Sequence, residues 1–302
     1  VRSEGWKYVN IPHDYVIEQN MCESENNAHG FLKYDNAWYR KHFSLDEKVR
    51  GKRIVLMFEG ITGHSTIYLN GCLMKHNFSS YNSFSVDISA NVYFDRENII
   101  AVYVNTEEFE GWWYQGGGIY RDVTLLITDP VAIDIYGVYA PVKKIEEKRW
   151  SVDFETTVLN DTYEDCTVSV VSIIYDNCGN EAASAKAEGK VPLREKTVLK
   201  YSANVFDPLL WNTDSPNLYT VKTVLTSKNG MADESKTRIG FREIELIAQK
   251  GLFVNGIKTF IKGVCCHQDF GLTGLAVPDN IARYKIELMK EMGANGFRTT
   301  HY

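Results

Sequence analysis

Four polar side chains that could bind or activate a small molecule follow two short apolar runs near the C-terminus. His267 and Asp269 come directly after the run FIKGV, and Arg298 and His301 come at the end of the run ANGFRTT. Histidine and aspartate can transfer protons or accept hydrogen bonds, and arginine can hold a carboxylate or donate several hydrogen bonds. Whether the four side chains can act together therefore depends on the secondary-structure elements that carry them.

The two runs and the segment between them predict a strand, a helix and a second strand. The first strand covers Phe260–Val264 and the second Ala294–Thr300. Pro278 and Asp279 mark a helix start and Gly293 its end, with apolar residues at helical spacing at Ile281, Tyr284, Leu288 and Met292. This order is that of the first βα unit and the next strand of a (β/α)₈ barrel. The carboxyl ends of such strands share one face, so His267, Asp269, Arg298 and His301 are expected together.

Composition and charge limit the class of protein. The chain has 302 residues, 44% of them hydrophobic and 13% aromatic, which suits two or three packed domains. A formal net charge of −6 argues against nucleic acid as a partner, and no apolar run is long enough to span a membrane. The 18 tyrosines and 6 tryptophans suit sandwich cores and also surfaces that stack on sugars.

Cysteine usage predicts free thiols. The six cysteines show no metal-binding spacing, and two of them are adjacent, which disfavours a disulfide between them. They are Cys22, Cys72, Cys166, Cys178, Cys265 and Cys266. Free thiols indicate a reducing compartment, so we expect a cytoplasmic protein and no metal site in this chain.

Two β-rich blocks precede the strand–helix–strand segment. Short alternating runs from about Trp38 to Thr128, with a type I′ hairpin signal at Asn70-Gly71, predict an antiparallel sandwich. About seven strands between Val131 and Leu246 predict an immunoglobulin-like sandwich. The predicted domains are a jelly-roll-like sandwich over 1–130, an immunoglobulin-like sandwich over 131–247, and the start of a TIM barrel over 248–302, so the fold class is mainly β.

Motifs along almost the whole chain resemble those of glycoside hydrolase family 2, the family of β-galactosidases and β-glucuronidases. They are WKYVNIPHDY, AWYRKHFSL, GGGIYRDVTLL, WNTDSPNLYTVKTVL, RIGFREIEL, GVCCHQDFGLTG and NGFRTTHY, in the order of the family. The resemblance implies a retaining exo-β-glycosidase, most simply a β-galactosidase, that uses two glutamates about 5–5.5 Å apart. Both glutamates are expected beyond Tyr302, so this chain alone is expected to be inactive. Mg²⁺ or Na⁺ could serve the whole enzyme.

The resemblance also implies roles for residues at the strand ends. His267 matches a family histidine that approaches the terminal sugar, and Arg298 with His301 matches the pair that shapes the same subsite. Asp269 either contacts sugar or caps its loop or the next helix. Some β-galactosidases have an aspartate before G-I-[YF]-R, and Trp112 stands there in this chain. Either Trp112 or Trp113 stacks on a sugar, or their loop packs on the barrel.

Two other classes of function would explain part of the sequence. A free-standing carbohydrate-binding module on an immunoglobulin-like support would explain the sandwiches, and so would a purely structural β-protein, but neither explains the strand–helix–strand segment. That segment lacks most barrel neighbours, so we expect it to be disordered, to pack on the second sandwich, or to drive homo-oligomerisation through its exposed apolar surface. A carbohydrate is the expected partner.

Overall fold

The computed structural model describes residues 5–107, 111–228 and 230–300. The chain divides into two compact units. The first contains the N-terminal β block and the chain from Lys262 onward, and the second contains residues 51–53 and 128–261. Among the described residues no helix is both long and apolar enough to cross a bilayer. The mainly β fold class is confirmed.

The N-terminal block is a sandwich of two antiparallel sheets. Its strands are β1 (Ala37–Phe43), β2 (Arg53–Phe58), β3 (His64–Leu69), β4 (Cys72–Asn77), β5 (Phe84–Asp87), β6 (Asn98–Asn105) and β7 (Val123–Thr128). One sheet has the order β1-β6-β3-β4 and the other β5-β2-β7. Alternate residues of β6 are buried, so Ile100, Val102 and Val104 enter the core and the residues between them face outward.

The predicted hairpin between β3 and β4 is confirmed. Asn70 and Gly71 both have positive φ, 52° and 86°, as a two-residue type I′ turn requires. The Asn70 side chain also receives the backbone N–H of Ile99 at 2.9 Å. The turn is therefore held by the neighbouring strand as well as by its own conformation.

The second unit contains the immunoglobulin-like sandwich. Its strands are β8 (Val131–Tyr139), β9 (Val142–Lys144), β10 (Arg149–Asn160), β11 (Cys166–Tyr175), β12 (Glu181–Val191), β13 (Lys196–Phe206), β14 (Tyr219–Ser227) and β15 (Gly230–Ile239). The sheets have the orders β13-β10-β8, with β9 on β10, and β12-β11-β14-β15. Trp150 and Tyr219 meet Phe241 edge to face in the core, with ring centroids 5.9 and 4.8 Å apart.

Two features of this unit differ from the sequence-based prediction. Strand β12 was not predicted, because its sequence EAASAKAEGKV lacks the branched and aromatic residues typical of strands. The apolar residues of the run TRIGFREIEL predict one strand, but the structure divides this run between β15 and β16 (Ile244–Ile247). Strand β16 pairs with β17 (Gly251–Val254). Asn255-Gly256 is a second hairpin signal in the sequence, and in the structure this turn joins β17 to β18 (Ile257–Lys258).

The strand–helix–strand segment is present, with β19 (Gly263–Cys266), α1 (Asp279–Glu291) and β20 (Gly296–Thr299). The two strands are parallel, and Cys266 is opposite Thr299. The predicted buried strand Phe260–Val264 is wrong at its start. Phe260 and Ile261 are 80% and 57% exposed and precede the strand.

This segment belongs to the compact unit of the N-terminal sandwich, so the expectation that it packs on the second sandwich is wrong. Helix α1 has no buried residue, and Tyr284, Leu288 and Met292 are between 45% and 68% exposed. The apolar face of α1 is therefore uncovered, as expected of a barrel helix without its neighbours. All six cysteines are free thiols.

Candidate functional site

The parallel pair β19–β20 brings two of the predicted residues to one sheet end. His267 follows β19 directly, and Arg298 lies opposite Cys265 near the end of β20. The Arg298 guanidinium donates to the Cys265 thiol at 3.7 Å. Phe297 and Ile286 line one cleft, so Phe297 faces α1, and Arg298 lies on the opposite face of the sheet. In a closed barrel that opposite face points to the interior, so a side chain near the carboxyl end of the strand borders the mouth where active sites lie.

The loop after β19 is fastened to helix α1 by one lysine. The Lys285 ammonium donates to the backbone carbonyls of His267 and Asp269, both at 3.1 Å, and lies 6.0 Å from the Phe270 ring centroid. These bonds fix the backbone on both sides of Gln268. Lys285 thus orients the loop that carries two of the predicted site residues.

A buried carboxylate joins the same loop to the N-terminal sandwich. Asp14 is 3% exposed, and its Oδ2 accepts the Leu275 N–H at 2.9 Å and the Tyr114 hydroxyl at 2.8 Å. Its Oδ1 accepts the N–H groups of Val16 at 3.0 Å and Gly117 at 2.9 Å. We call these five residues the Asp14 junction. It connects three segments that are far apart in sequence.

Opposing effects act on the Asp14 carboxyl. Burial is the larger and raises its pKa above the usual range, while the N–H donors of Leu275 and Gly117 and the Tyr114 hydroxyl lower it. Burial, and next the Asp14 charge, raise the pKa of Tyr114, so its hydroxyl stays protonated and donates. A buried carboxylate is tolerated only when its oxygens are hydrogen-bonded, and both oxygens of Asp14 are.

Two glycines let the backbone approach Asp14 closely. Gly116 and Gly274 have positive φ, 60° and 55°, and a Cβ on either would overlap Oδ2 of Asp14. The same hypothetical Cβ at Gly274 would come within 2.8 Å of the Tyr114 hydroxyl oxygen. Glycine is therefore required at both positions by space as well as by conformation.

The predicted tryptophans have different environments. Trp113 is half-buried, packs on Gly111, and donates its indole N–H to the Tyr81 hydroxyl at 3.0 Å. Trp112 is 80% exposed. Tyr114 belongs to the Asp14 junction and Gly116 borders it. The loop that carries the two tryptophans therefore packs on the loop between β19 and α1, which we call the first barrel loop. The predicted residue His301 lies outside the described residues.

A cleft of about 510 Å³ lies beside the loop but does not gather the predicted site. His267 lines it together with Tyr120 and Arg121 of the sandwich and Lys285 of α1. Arg298 is on the other face of β20. The cleft is therefore a groove between the sandwich and α1, and we assign no sugar to it.

Sequence reasoning missed the Asp14 junction. Asp14 and Leu275 are 261 residues apart, and no local pattern links them. The available signals were an aspartate after Pro12-His13 and before apolar residues, and a glycine-rich stretch over 116–118. Neither signal identifies a partner.

The substitution Asp14→Asn should weaken the attachment of the first barrel loop to the sandwich. In Asp14→Asn the amide oxygen can keep the two Oδ1 bonds, but the NH₂ group faces the Leu275 N–H, which cannot accept. We expect a loss of about 1–3 kcal/mol in the free energy of unfolding and faster amide exchange over residues 270–277, measured by hydrogen–deuterium exchange. Asp35→Asn, a change at an exposed carboxylate paired with Lys33, is the control. Unchanged exchange over 270–277 in Asp14→Asn would contradict the proposed fastening.

The substitution Gly274→Ala should destabilise the protein through steric overlap and backbone strain. Gly274→Ala places a methyl group against Asp14 Oδ2 at positive φ, so we expect a loss of more than about 1 kcal/mol. Gly271→Ala is the matched control, because a Cβ there meets nothing within 4 Å. Thermal unfolding of the two variants compares them directly, and equal midpoints would show that Gly274 is not constrained.

Comparison with protein-family models gives three consecutive matches. The sugar binding domain of glycosyl hydrolases family 2 matches residues 8–130, the model described as glycosyl hydrolases family 2 matches residues 131–242, and the family 2 TIM barrel domain matches residues 245–302. Together they account for nearly the whole chain.

Similar proteins cover the same span. The β-galactosidase BoGH2A of Bacteroides ovatus is 33% identical over 98% of this chain and 35% of its own length. A β-glucuronidase of Formosa agariphila is 27% identical over 98% of this chain and 33% of its own length. The chain thus spans about a third of the length of these relatives.

A solved structure shows the same architecture. A glycosyl hydrolase family 2 member from Bacteroides cellulosilyticus superposes with a TM-score of 0.93 at 31% identity, over 100% of this chain and 40% of that one. The order of the two sandwiches and the barrel segment, and the motifs that carry them, agree with the family models. The chain belongs to glycosyl hydrolases family 2.

Proposed function

We propose that this chain forms the sugar-binding domain, the immunoglobulin-like domain and the first barrel unit of a retaining exo-β-glycosidase, and that the sugar it releases is galactose. The observation that carries the proposal is the match of all three family domains in order. The greater similarity to a β-galactosidase, 33% identity against 27% for a β-glucuronidase, favours galactose. The strand–helix–strand segment has no role in a free-standing carbohydrate-binding module.

The described residues supply the sugar subsite rather than the bond-breaking groups. His267 and Arg298 are proposed to donate hydrogen bonds to hydroxyls of the terminal sugar, and His301 to join them from the end of β20. A guanidinium at a barrel interior can also orient a catalytic carboxylate through two parallel hydrogen bonds. Asp269 and Trp112 are proposed as further contacts. The two catalytic glutamates of a retaining mechanism are proposed to lie outside these 302 residues.

The Asp14 junction and Lys285 give the subsite its position. Lys285 fixes the backbone around His267 and Asp269, and Asp14 fixes the far end of the same loop at Leu275. A catalytic geometry depends on such support, because small displacements of substrate-positioning groups reduce rates strongly. The Asp14 junction thereby supports the barrel site without itself touching substrate.

The described residues offer no cluster of acidic, histidine and cysteine side chains for a metal ion. Over residues 5–107, 111–228 and 230–300, no group of three or more His, Cys, Asp or Glu side chains could hold one.

Substrate preference tests the proposed function. For the protein with a complete barrel, we expect kcat/KM for 4-nitrophenyl β-D-galactopyranoside to exceed that for 4-nitrophenyl β-D-glucuronide by more than tenfold. We expect no turnover of either by the 302-residue chain. Preference for the glucuronide would overturn the choice of sugar, and inactivity on both would overturn the glycosidase. Robust hydrolysis by the 302-residue chain would overturn the placement of the glutamates.

Arg298 is expected to matter for the reaction in the same protein. Arg298→Ala should lower kcat/KM about 100-fold, the loss usual for a donor aimed at developing charge. Arg298→Lys should recover only part of it, because lysine lacks the planar fork of arginine. Arg283→Ala, at an exposed position on α1, is the control. Activity of Arg298→Ala within twofold of the wild type would remove Arg298 from the subsite.

A further inference from the structure

The outer face of the sheet β1-β6-β3-β4 carries an exposed group of aromatic rings that none of the roles above uses. Trp38 on β1 lies with its ring centroid 5.0 Å from that of Tyr103 on β6 and 5.8 Å from that of Tyr68 on β3. Trp38 is 50% exposed. We call Trp38, Tyr68 and Tyr103 the aromatic platform.

The strand register explains how these rings meet. Trp38 pairs with Tyr103, and Tyr68 pairs with Ala101, so all four side chains share the face that points away from the core. Ala101 lies between Trp38 and Tyr68 on the middle strand and is too small to separate their rings. The Trp38 ring is tilted by 45° to Tyr103 and by 33° to Tyr68. The platform is thus preorganised by contacts among its own members.

The aromatic surface continues across the sheet. Thr66, the neighbour of Tyr103 on β3, is buried, and its hydroxyl is 2.9 Å from Nδ1 of the exposed His76 on β4. Phe78, 72% exposed, has its ring centroid 6.1 Å from that of His76 and 5.7 Å from that of His64. Further exposed rings therefore lie beside β4, at the other edge of the same sheet.

Polar groups around the platform are available for hydrogen bonding. The hydroxyls of Tyr68 and Tyr103 bond to no other residue that the structure describes. Arg40, the next outward residue on β1, lies with its guanidinium carbon 4.5 Å from the Trp6 ring centroid. An exposed apolar area of this kind marks a binding surface.

We propose that the aromatic platform binds β-linked polysaccharide. The face of an aromatic ring is negative and attracts the axial C–H groups of a pyranose, while neutral hydroxyl and imidazole groups beside it suit sugar hydroxyls. The aliphatic side chains among the outward positions of the four strands are few: Leu73, Ile99 and Ala101. A protein partner would favour a larger aliphatic centre, and only these three aliphatic side chains face outward here.

Packed aromatic rings also bind at a low entropic cost. Tyrosine and tryptophan have only two side-chain torsions each, and mutual contacts already restrict them in the platform. Little ordering is therefore required when a sugar chain is added. Polysaccharide binding by the platform does not depend on the proposed hydrolysis, so a binding measurement alone tests it.

Affinity electrophoresis tests the platform with the 302-residue chain. The probes are native gels that contain β-1,4-galactan, xyloglucan or mixed-linkage β-glucan, with amylose as an α-linked control. We expect at least one β-linked polymer to retard the wild type and amylose not to. Trp38→Ala should bind that polymer at least about tenfold more weakly, a loss of about 1.4 kcal/mol. Tyr163→Ala, which removes an exposed aromatic ring far from the platform in sequence, should migrate as the wild type does.

A second variant separates binding from folding. Ala101→Arg leaves the three rings in place but adds a long side chain between Trp38 and Tyr68, so it should reduce retardation without a large change in thermal midpoint. No retardation of the wild type by any β-linked polymer would overturn the proposal. So would equal retardation of the wild type and both platform variants, or a wild-type dimer in sedimentation that Trp38→Ala abolishes, because the surface would then serve self-association.

Discussion

The burial of one carboxylate determines how the barrel segment is held in this chain. Asp14 is removed from water, and its two oxygens receive four hydrogen bonds from the N-terminal segment, from the Tyr114–Gly117 stretch and from Leu275. An unpaired buried charge would be strongly destabilising, so the three segments are required together. Since Leu275 ends the loop that begins at His267, the sandwich helps to define the position of a barrel loop.

This arrangement gives the sandwich a role in the proposed reaction. A barrel loop is usually positioned by its own strands and helices, and here Lys285 of α1 provides that support at one end. The other end depends on a residue of the sugar-binding domain. The glycines at 116 and 274 follow from the same requirement, because a side chain at either position would occupy the space of the carboxylate.

Local chemistry allowed much of the fold to be predicted from the sequence. The Asn-Gly turns at 70–71 and 255–256, the helix start at Pro278 and the Gly293 stop are each decided by neighbouring residues, and the structure confirms them. Strand β12 escaped prediction because its pairing with β11 is decided by tertiary context rather than by propensity. Burial was wrongly predicted for Phe260 and Ile261, because an apolar run does not by itself determine whether its side chains are buried in the fold.

The candidate site shows the same division between local and distant causes. The pattern of strand ends was sufficient to bring His267 and Arg298 to one sheet end, because parallel strands align their carboxyl ends. The Asp14 contact to Leu275 could not be predicted, since no periodicity or motif links residues so far apart. The aromatic platform was hidden for a related reason. Trp38, Tyr68 and Tyr103 lie on three strands, and only the register places them together.

Covalent trapping tests the central claim most directly. A 2-deoxy-2-fluoro-β-galactoside with a good leaving group, added to the protein with a complete barrel, should form a stable glycosyl-enzyme ester, because a retaining mechanism passes through such an intermediate. Mass spectrometry of the digested protein should then locate the sugar on a glutamate outside these 302 residues. Absence of the adduct under conditions of measurable turnover, or its attachment to a carboxylate within these residues, would contradict the account.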